Sequence, residues 1–150
     1  MHRNWRKTDF VEKITMQAAK RKLDDLSIVP ILSWNNERIK AHIDAVLELD
    51  GAELLFGGVP LKNHTIPSMY GSYEPTAIKV PLKHFRGKKK RELLTTELFG
   101  PFQIVVEYGN NDIETVLDIL NGVPHFLTAA CVSNDMLFNE RILSHTMNGT

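Results

Sequence analysis

The residues able to do chemistry in this sequence are few, and most are badly spaced for it. Cys131 is the single thiol. A nucleophilic thiolate needs an electropositive, reachable site, but Cys131 lies among Ala129, Ala130 and Val132, an apolar run that predicts core packing. No catalytic residue is assigned. The six histidines, at positions 2, 42, 64, 84, 125 and 145, show no metal-ligand spacing, so no metal site is expected. Neither a phosphate-cradling Walker loop nor a G-x-G-x-x-G turn is present. Glu97-Leu98-Phe99-Gly100-Pro101 is the exception. In an extended segment residues two apart point the same way, which sets the Glu97 carboxylate beside the Phe99 ring. A carboxylate so placed can accept hydrogen bonds from ribose hydroxyls, each worth roughly 1.5–3 kcal/mol, and the ring can pack on a flat heterocycle. A solvated Glu97 and a core Phe99 is the commoner arrangement for such a pair, and on the residues alone it stays open.

The elements that would position these residues follow from periodicity and caps. Thr8 is a candidate N-cap for a helix to about Lys22, with Phe10, Val11, Ile14 and Ala18 on one face. Ile28 to Trp34, interrupted by Pro30, reads as loop or edge strand. Asn35 or Asn36 caps a second helix to about Leu49, striped by Ile39, Ile43, Val46 and Leu47. Glu53 to Phe56 is a predicted strand stopped by Gly57-Gly58, and Thr76 to Val80 another. Four of the seven prolines fall from Pro60 to Pro81, which should be largely irregular. Lys83 to Arg91, with six basic residues and no acid, is most simply a solvated loop. Phe102 to Tyr108 reads as a strand. A helix capped by Asn110, Asn111 or Asp112 should turn Ile113, Val116, Leu117 and Leu120 inward and close at Gly122. Leu127 to Val132 reads as a further buried strand, and Ser133, Asn134 or Asp135 caps a last helix with Leu137, Phe138, Ile142 and Leu143 buried. Strand, helix, strand within about 30 residues is a βαβ unit with parallel strands. The fold class is α/β.

A chain of 150 residues and 17.1 kDa, 43% hydrophobic and 24% charged, suits one ordered domain rather than a disordered segment. No apolar stretch reaches the ~18 residues of a membrane helix. One cysteine excludes an internal disulfide framework. The net charge of zero hides an asymmetry: residues 1–91 hold 17 basic and 10 acidic groups, residues 92–150 one basic and eight acidic. Folding one half against the other would cancel these, so neither a nucleic-acid nor a membrane partner is expected.

Glu97-Leu98-Phe99-Gly100-Pro101-Phe102 resembles the Glu-Ile-Phe-Gly-Pro motif of the aldehyde dehydrogenase superfamily. Gly51-Ala52-Glu53-Leu54-Leu55-Phe56-Gly57-Gly58 is similar to its Gly-Ala-x-x-x-x-Gly-Gly segment, and Pro75-Thr76-Ala77 to its Pro-Thr before a strand. Leu127-Thr128-Ala129-Ala130, Ser133-Asn134-Asp135 and Asn148-Gly149-Thr150 follow in family order. Leu61 to Gly71 and Thr95 to Gln103 look most like 1-pyrroline-5-carboxylate dehydrogenases of the plant and protist type. That resemblance implies NAD as cofactor, with Glu97 holding the nicotinamide ribose and Phe99 packing against the nicotinamide. It implies glutamate γ-semialdehyde as the small-molecule aldehyde substrate, proline catabolism as the setting, and mitochondria as the location. Met1 to Lys7 has no apolar core of a signal peptide, so a cytoplasmic location is the alternative. The family's nucleophilic cysteine, its general base and its nucleotide-binding domain would fall before Met1, and Cys131 does not align with the nucleophile. Residues 1–150 are thus expected to be part of a catalytic domain, inactive alone, without the C-terminal oligomerisation strand. A module that docks onto a full-length aldehyde dehydrogenase, or a homo-oligomer, is the alternative from another class.

Overall fold

Three short β-branched and aromatic runs make one sheet: β1 (Glu53–Phe56), β2 (Thr76–Lys79) and β3 (Phe102–Val105), in that order across it. The computed structural model describes residues 1–124 and 128–147. The chain forms two compact units, Met1–Glu107 and Tyr108–Thr150. In the first, β1 runs antiparallel to β2, with Glu53 opposite Lys79 and a register irregularity between Leu54 and Phe56. The Glu53 and Lys79 side chains pair at 2.9 Å. β2 and β3 are parallel, from Thr76 beside Phe102 to Lys79 beside Val105. A parallel pair needs a crossover. Here a 3-10 turn (Leu82–Arg86) and helix α3 (Lys88–Leu94) supply it.

The basic run read as a solvated loop is therefore the crossover. His84 Nε2 lies 2.8 Å from the Asp50 carbonyl and Lys83 pairs with the Asp50 carboxylate, anchoring that run to the turn before β1. The βαβ unit exists, but one element earlier than expected. Thr128–Val132 is not a strand, and Val132 is 76% exposed; Leu127 lies outside the described residues. Side-chain type supplies a strand's faces, whereas its hydrogen bonds must come from a neighbouring strand, and none pairs with 128–132 among the described residues.

Helix α1 (Phe10–Ala19) is shorter than its periodicity suggested, and Asp9, not Thr8, is its N-cap. Thr8 belongs to the preceding 3-10 turn, Arg3–Lys7: its hydroxyl donates to the Trp5 carbonyl at 2.7 Å and accepts from the Phe10 amide at 3.3 Å. Lys20 is the C-cap, so Arg21 and Lys22 lie past the last turn. Helix α2 (Asn36–Leu47) begins at the expected cap, with the Asn35 carboxamide accepting from the Arg38 amide at 2.9 Å. It buries Ile39, Ile43 and Val46, leaves Leu47 half-buried, and also buries His42. These residues join Ile31, Ala77, Ile78 and Val80 in the core.

In the second unit, a 3-10 turn (Asn110–Asp112) leads into α4 (Ile113–Asn121), and the Asp112 carboxylate accepts from the Gly109 amide at 2.8 Å. Gly122 closes the helix as expected, and Ile113 and Leu117 are buried. Helix α5 (Met136–Ser144) is capped by Asp135, whose carboxylate accepts from the Phe138 amide at 3.1 Å. Its expected buried face is not buried: Leu137 is 78% and Leu143 59% exposed, while Phe138 and Ile142 are half-buried. An apolar stripe creates a demand for cover that the helix itself cannot meet.

Candidate functional site

The segment between α3 and β3 holds Glu97 and Phe99 on opposite sides of a buried anchor. Leu98 is 3% exposed, whereas Glu97 is exposed and Phe99 is 77% exposed. Both side chains thus leave the surface while the residue between them enters the core. The placement of Phe99 as a core residue, left open above, is not what forms. Nor is the segment simply extended: Phe99 has φ +53°. A bulky residue rarely occupies that left-handed region, and such conformations persist where the surroundings over-determine them.

Those surroundings are specific. The Ser33 hydroxyl donates to the Leu98 carbonyl at 3.1 Å. Gly100 lies so close to Ile31 that a Cβ there would come within 2.5 Å of the Ile31 side chain. The Pro101 carbonyl accepts from the Thr76 amide at 2.7 Å, and the Phe102 amide donates back to the Gly100 carbonyl at 2.7 Å. Ile31 is fixed in turn, exchanging two 2.8 Å hydrogen bonds with Gly71. The turn is therefore pinned on both flanks of Phe99, and a carboxylate and an aromatic face stand on a rigid base. This can take a ligand with vicinal hydroxyls next to a flat ring.

The run from Ile28 to Trp34, read as loop or edge strand, is what does much of the pinning. Its bridge to Gly71 is a single isolated pair, so it is neither a free loop nor a strand proper. Sequence reasoning missed Ile31 and Ser33 as site residues. The only available signal was Gly100-Pro101, a pair that demands close packing and a turn.

The other candidates come together less. Cys131 is half-buried in irregular chain, not in a buried strand: its thiol donates to the Asn139 carboxamide oxygen at 3.1 Å, and Asn139 donates to the Ser133 carbonyl at 3.1 Å. The thiol thus ties down the approach to α5, a correction to its expected role as core packing. His42 is buried with its ring edge-on to Trp34 and to Phe102, each at 5.5 Å between centroids. Its Nε2 has no hydrogen-bond partner, and burial pushes its pKa down. Among the described residues no three His, Cys, Asp or Glu side chains gather as a metal site would require. A cavity of about 310 Å³ lies elsewhere in the first unit, lined by Thr15, Ala18, Arg21, Phe56, Gly57 and Glu74 among others, and by no residue of the Glu97–Pro101 turn.

No family model matches the chain. It is 46% identical over 150 residues to a probable aldehyde dehydrogenase of Linum usitatissimum, and 46% identical over 151 residues to the mitochondrial delta-1-pyrroline-5-carboxylate dehydrogenase 12A1 of Arabidopsis thaliana. Both matches cover all of this chain. Along its whole length, the chain is aldehyde dehydrogenase-like. It spans 27% of the length of each of these relatives. In fold, this aldehyde dehydrogenase-like chain is similar to a putative aldehyde dehydrogenase from Burkholderia cenocepacia, with TM-score 0.71 and 22% identity over 99% of this chain and 29% of the other. It is also similar to PnpE in complex with nicotinamide adenine dinucleotide, with TM-score 0.55 and 22% identity over 77% of this chain and 21% of that one. The α/β class follows, and a succinic semialdehyde dehydrogenase from Streptococcus pyogenes with NADP+ as its cofactor is also among the similar structures. No helix among the described residues is long and apolar enough to cross a membrane.

Proposed function

We propose that residues 1–150 are part of the catalytic domain of an NAD-dependent aldehyde dehydrogenase, and that Glu97 and Phe99 are the contacts this part makes with the nicotinamide end of the cofactor. The observation that carries the reading is the pinned turn that presents an exposed carboxylate and an exposed, left-handed phenylalanine around buried Leu98. Glu97 accepts hydrogen bonds from the ribose hydroxyls and so orients the sugar. Phe99 packs on the nicotinamide ring and fixes which face it shows to the aldehyde. When bound, NAD takes a hydride from the substrate carbon; this chain's residues supply the orientation.

The substrate in this reading is glutamate γ-semialdehyde, oxidised to glutamate in proline catabolism in mitochondria. Its support is the 46% identity to a mitochondrial relative named for the cyclic form of that aldehyde. In this reading the chain does not catalyse the oxidation alone, because its one thiol, Cys131, does not align with the family's nucleophile and is engaged with Asn139.

The test is a fluorescence titration of the chain with NADH. Glu97→Gln and Phe99→Ala should each weaken binding about tenfold, equivalent to roughly 1.4 kcal/mol. Unchanged affinity in both variants defeats the assignment. Reduction of NAD by the chain alone with the semialdehyde defeats the claim of inactivity.

A second reading, a non-catalytic module that docks onto a full-length aldehyde dehydrogenase or onto another copy, is favoured by the bare apolar side chains of Val132, Met136, Leu137 and Leu143. Size-exclusion chromatography beside a full-length relative checks it, and a separate monomer peak at all mixing ratios counts against it.

A further inference from the structure

The strained residue of the site needs a holder, and the holder comes from a different part of the chain. We infer that Ser33 and Ile31 form a clamp that keeps Phe99 in its left-handed conformation, with Ser33 as a positioning residue for the nicotinamide contact. The cofactor half of this inference rests on the reading proposed above; the conformational half stands on the geometry alone.

A left-handed phenylalanine on the surface gains nothing from its own exposed ring, so it relaxes unless the two flanking peptides are held. The peptide before it is held by Ser33: the hydroxyl donates to the Leu98 carbonyl at 3.1 Å in a part-buried setting, across 65 positions of sequence. The peptide after it is held by shape, since Gly100 sits against Ile31 with no room for a Cβ. Ile31 is 1% exposed and its backbone is doubly hydrogen-bonded to Gly71, which leaves its side chain little room to retreat. Leu98 itself is buried, which stops the turn from rotating about its axis. Removing the hydroxyl frees one flank. The backbone at Phe99 then returns to ordinary negative φ, which redirects the ring. The substitution Ser33→Thr keeps a hydroxyl at this position, whereas Ser33→Ala keeps only the fold.

The experiment is NMR on the intact chain with Ser33→Ala and Ser33→Thr. A left-handed residue brings its amide hydrogen unusually close to its own Hα, giving a strong intraresidue cross-peak at Phe99. That cross-peak should weaken to the ordinary level in Ser33→Ala and persist in Ser33→Thr, while core resonances of Ile39 and Ile78 stay in place. The same variants titrated with NADH should show about tenfold weaker binding for Ser33→Ala and wild-type binding for Ser33→Thr. An unchanged Phe99 cross-peak in Ser33→Ala overturns the clamp. If Ser33→Ala fails to fold, Ile31→Val trims the other jaw, and a retained cross-peak there overturns the proposal equally. If the cross-peak collapses as expected but Ser33→Ala binds NADH as tightly as wild type, the clamp stands and the positioning role fails, so the two are separable.

Discussion

At the scale of single residues, Phe99 combines two features that stability alone would not retain: an exposed ring and a left-handed backbone. The backbone term is of order 1–2 kcal/mol, partly offset in a glycine variant by the freedom glycine loses on folding. Phe99→Gly should therefore raise the urea midpoint, by up to about 1 kcal/mol of stability, while weakening NADH binding. A variant that is both less stable and unaltered in NADH binding would show that the ring packs for structure. Gly100→Ala should go the other way and destabilise, because the added methyl meets the buried Ile31 side chain at 2.5 Å. The types and the two-residue spacing of Glu97 and Phe99 were legible in the sequence. The positive φ was not, since nothing local asks a phenylalanine to adopt it; Ser33 and Ile31, far away in the chain, impose it.

At the scale of elements, caps were more legible than strands. The Asn35 cap, the Asp135 cap and the Gly122 stop stand where their residue types suggested, because each works through bonds within one turn. The strand expected up to Val132 and the crossover at Lys83–Arg91 were misread for a shared reason. A strand or a crossover is completed by partners elsewhere in the chain, which local pattern does not display. Both tryptophans, Trp5 and Trp34, belong to the Met1–Glu107 unit. Asn35→Ala should thus lower the stability read by tryptophan fluorescence by about 1 kcal/mol. Asp135→Ala should reduce helical circular dichroism through α5, whereas Asp135→Asn, which keeps a capping oxygen, should not. Equal loss in the two variants would contradict the cap.

At the scale of the molecule, His42 and Glu107 each contribute to the response to acid. Burial holds His42 below its ordinary pKa near 6.5, so the folded chain resists a proton that the unfolded chain accepts. Its contribution is complete above about pH 6.5 and declines as pH falls through that value towards the lower folded pKa. Glu107 follows at lower pH: the hydrogen bond from Arg6 holds its carboxyl below the usual range, and that support is lost as pH falls below about 4.3. Urea midpoints should fall from about pH 7 to about pH 5.5 in wild type and stay level over that span in His42→Phe, whose ring suits the space between Trp34 and Phe102. A persistent decline in that variant would place the titrating group elsewhere. The bridge between Ile31 and Gly71 also has a consequence for how the chain reaches this state. Some forty residues separate its two sides, and Gly100 lies about thirty further on. Closing such loops is entropically slow relative to winding α1 or α2, so the Glu97–Phe99 turn is among the last features to form and its amides should exchange hydrogen as late arrivals do. A cut between Leu61 and Met69, outside every helix, would leave the helices able to wind and the cofactor-facing turn without its mould.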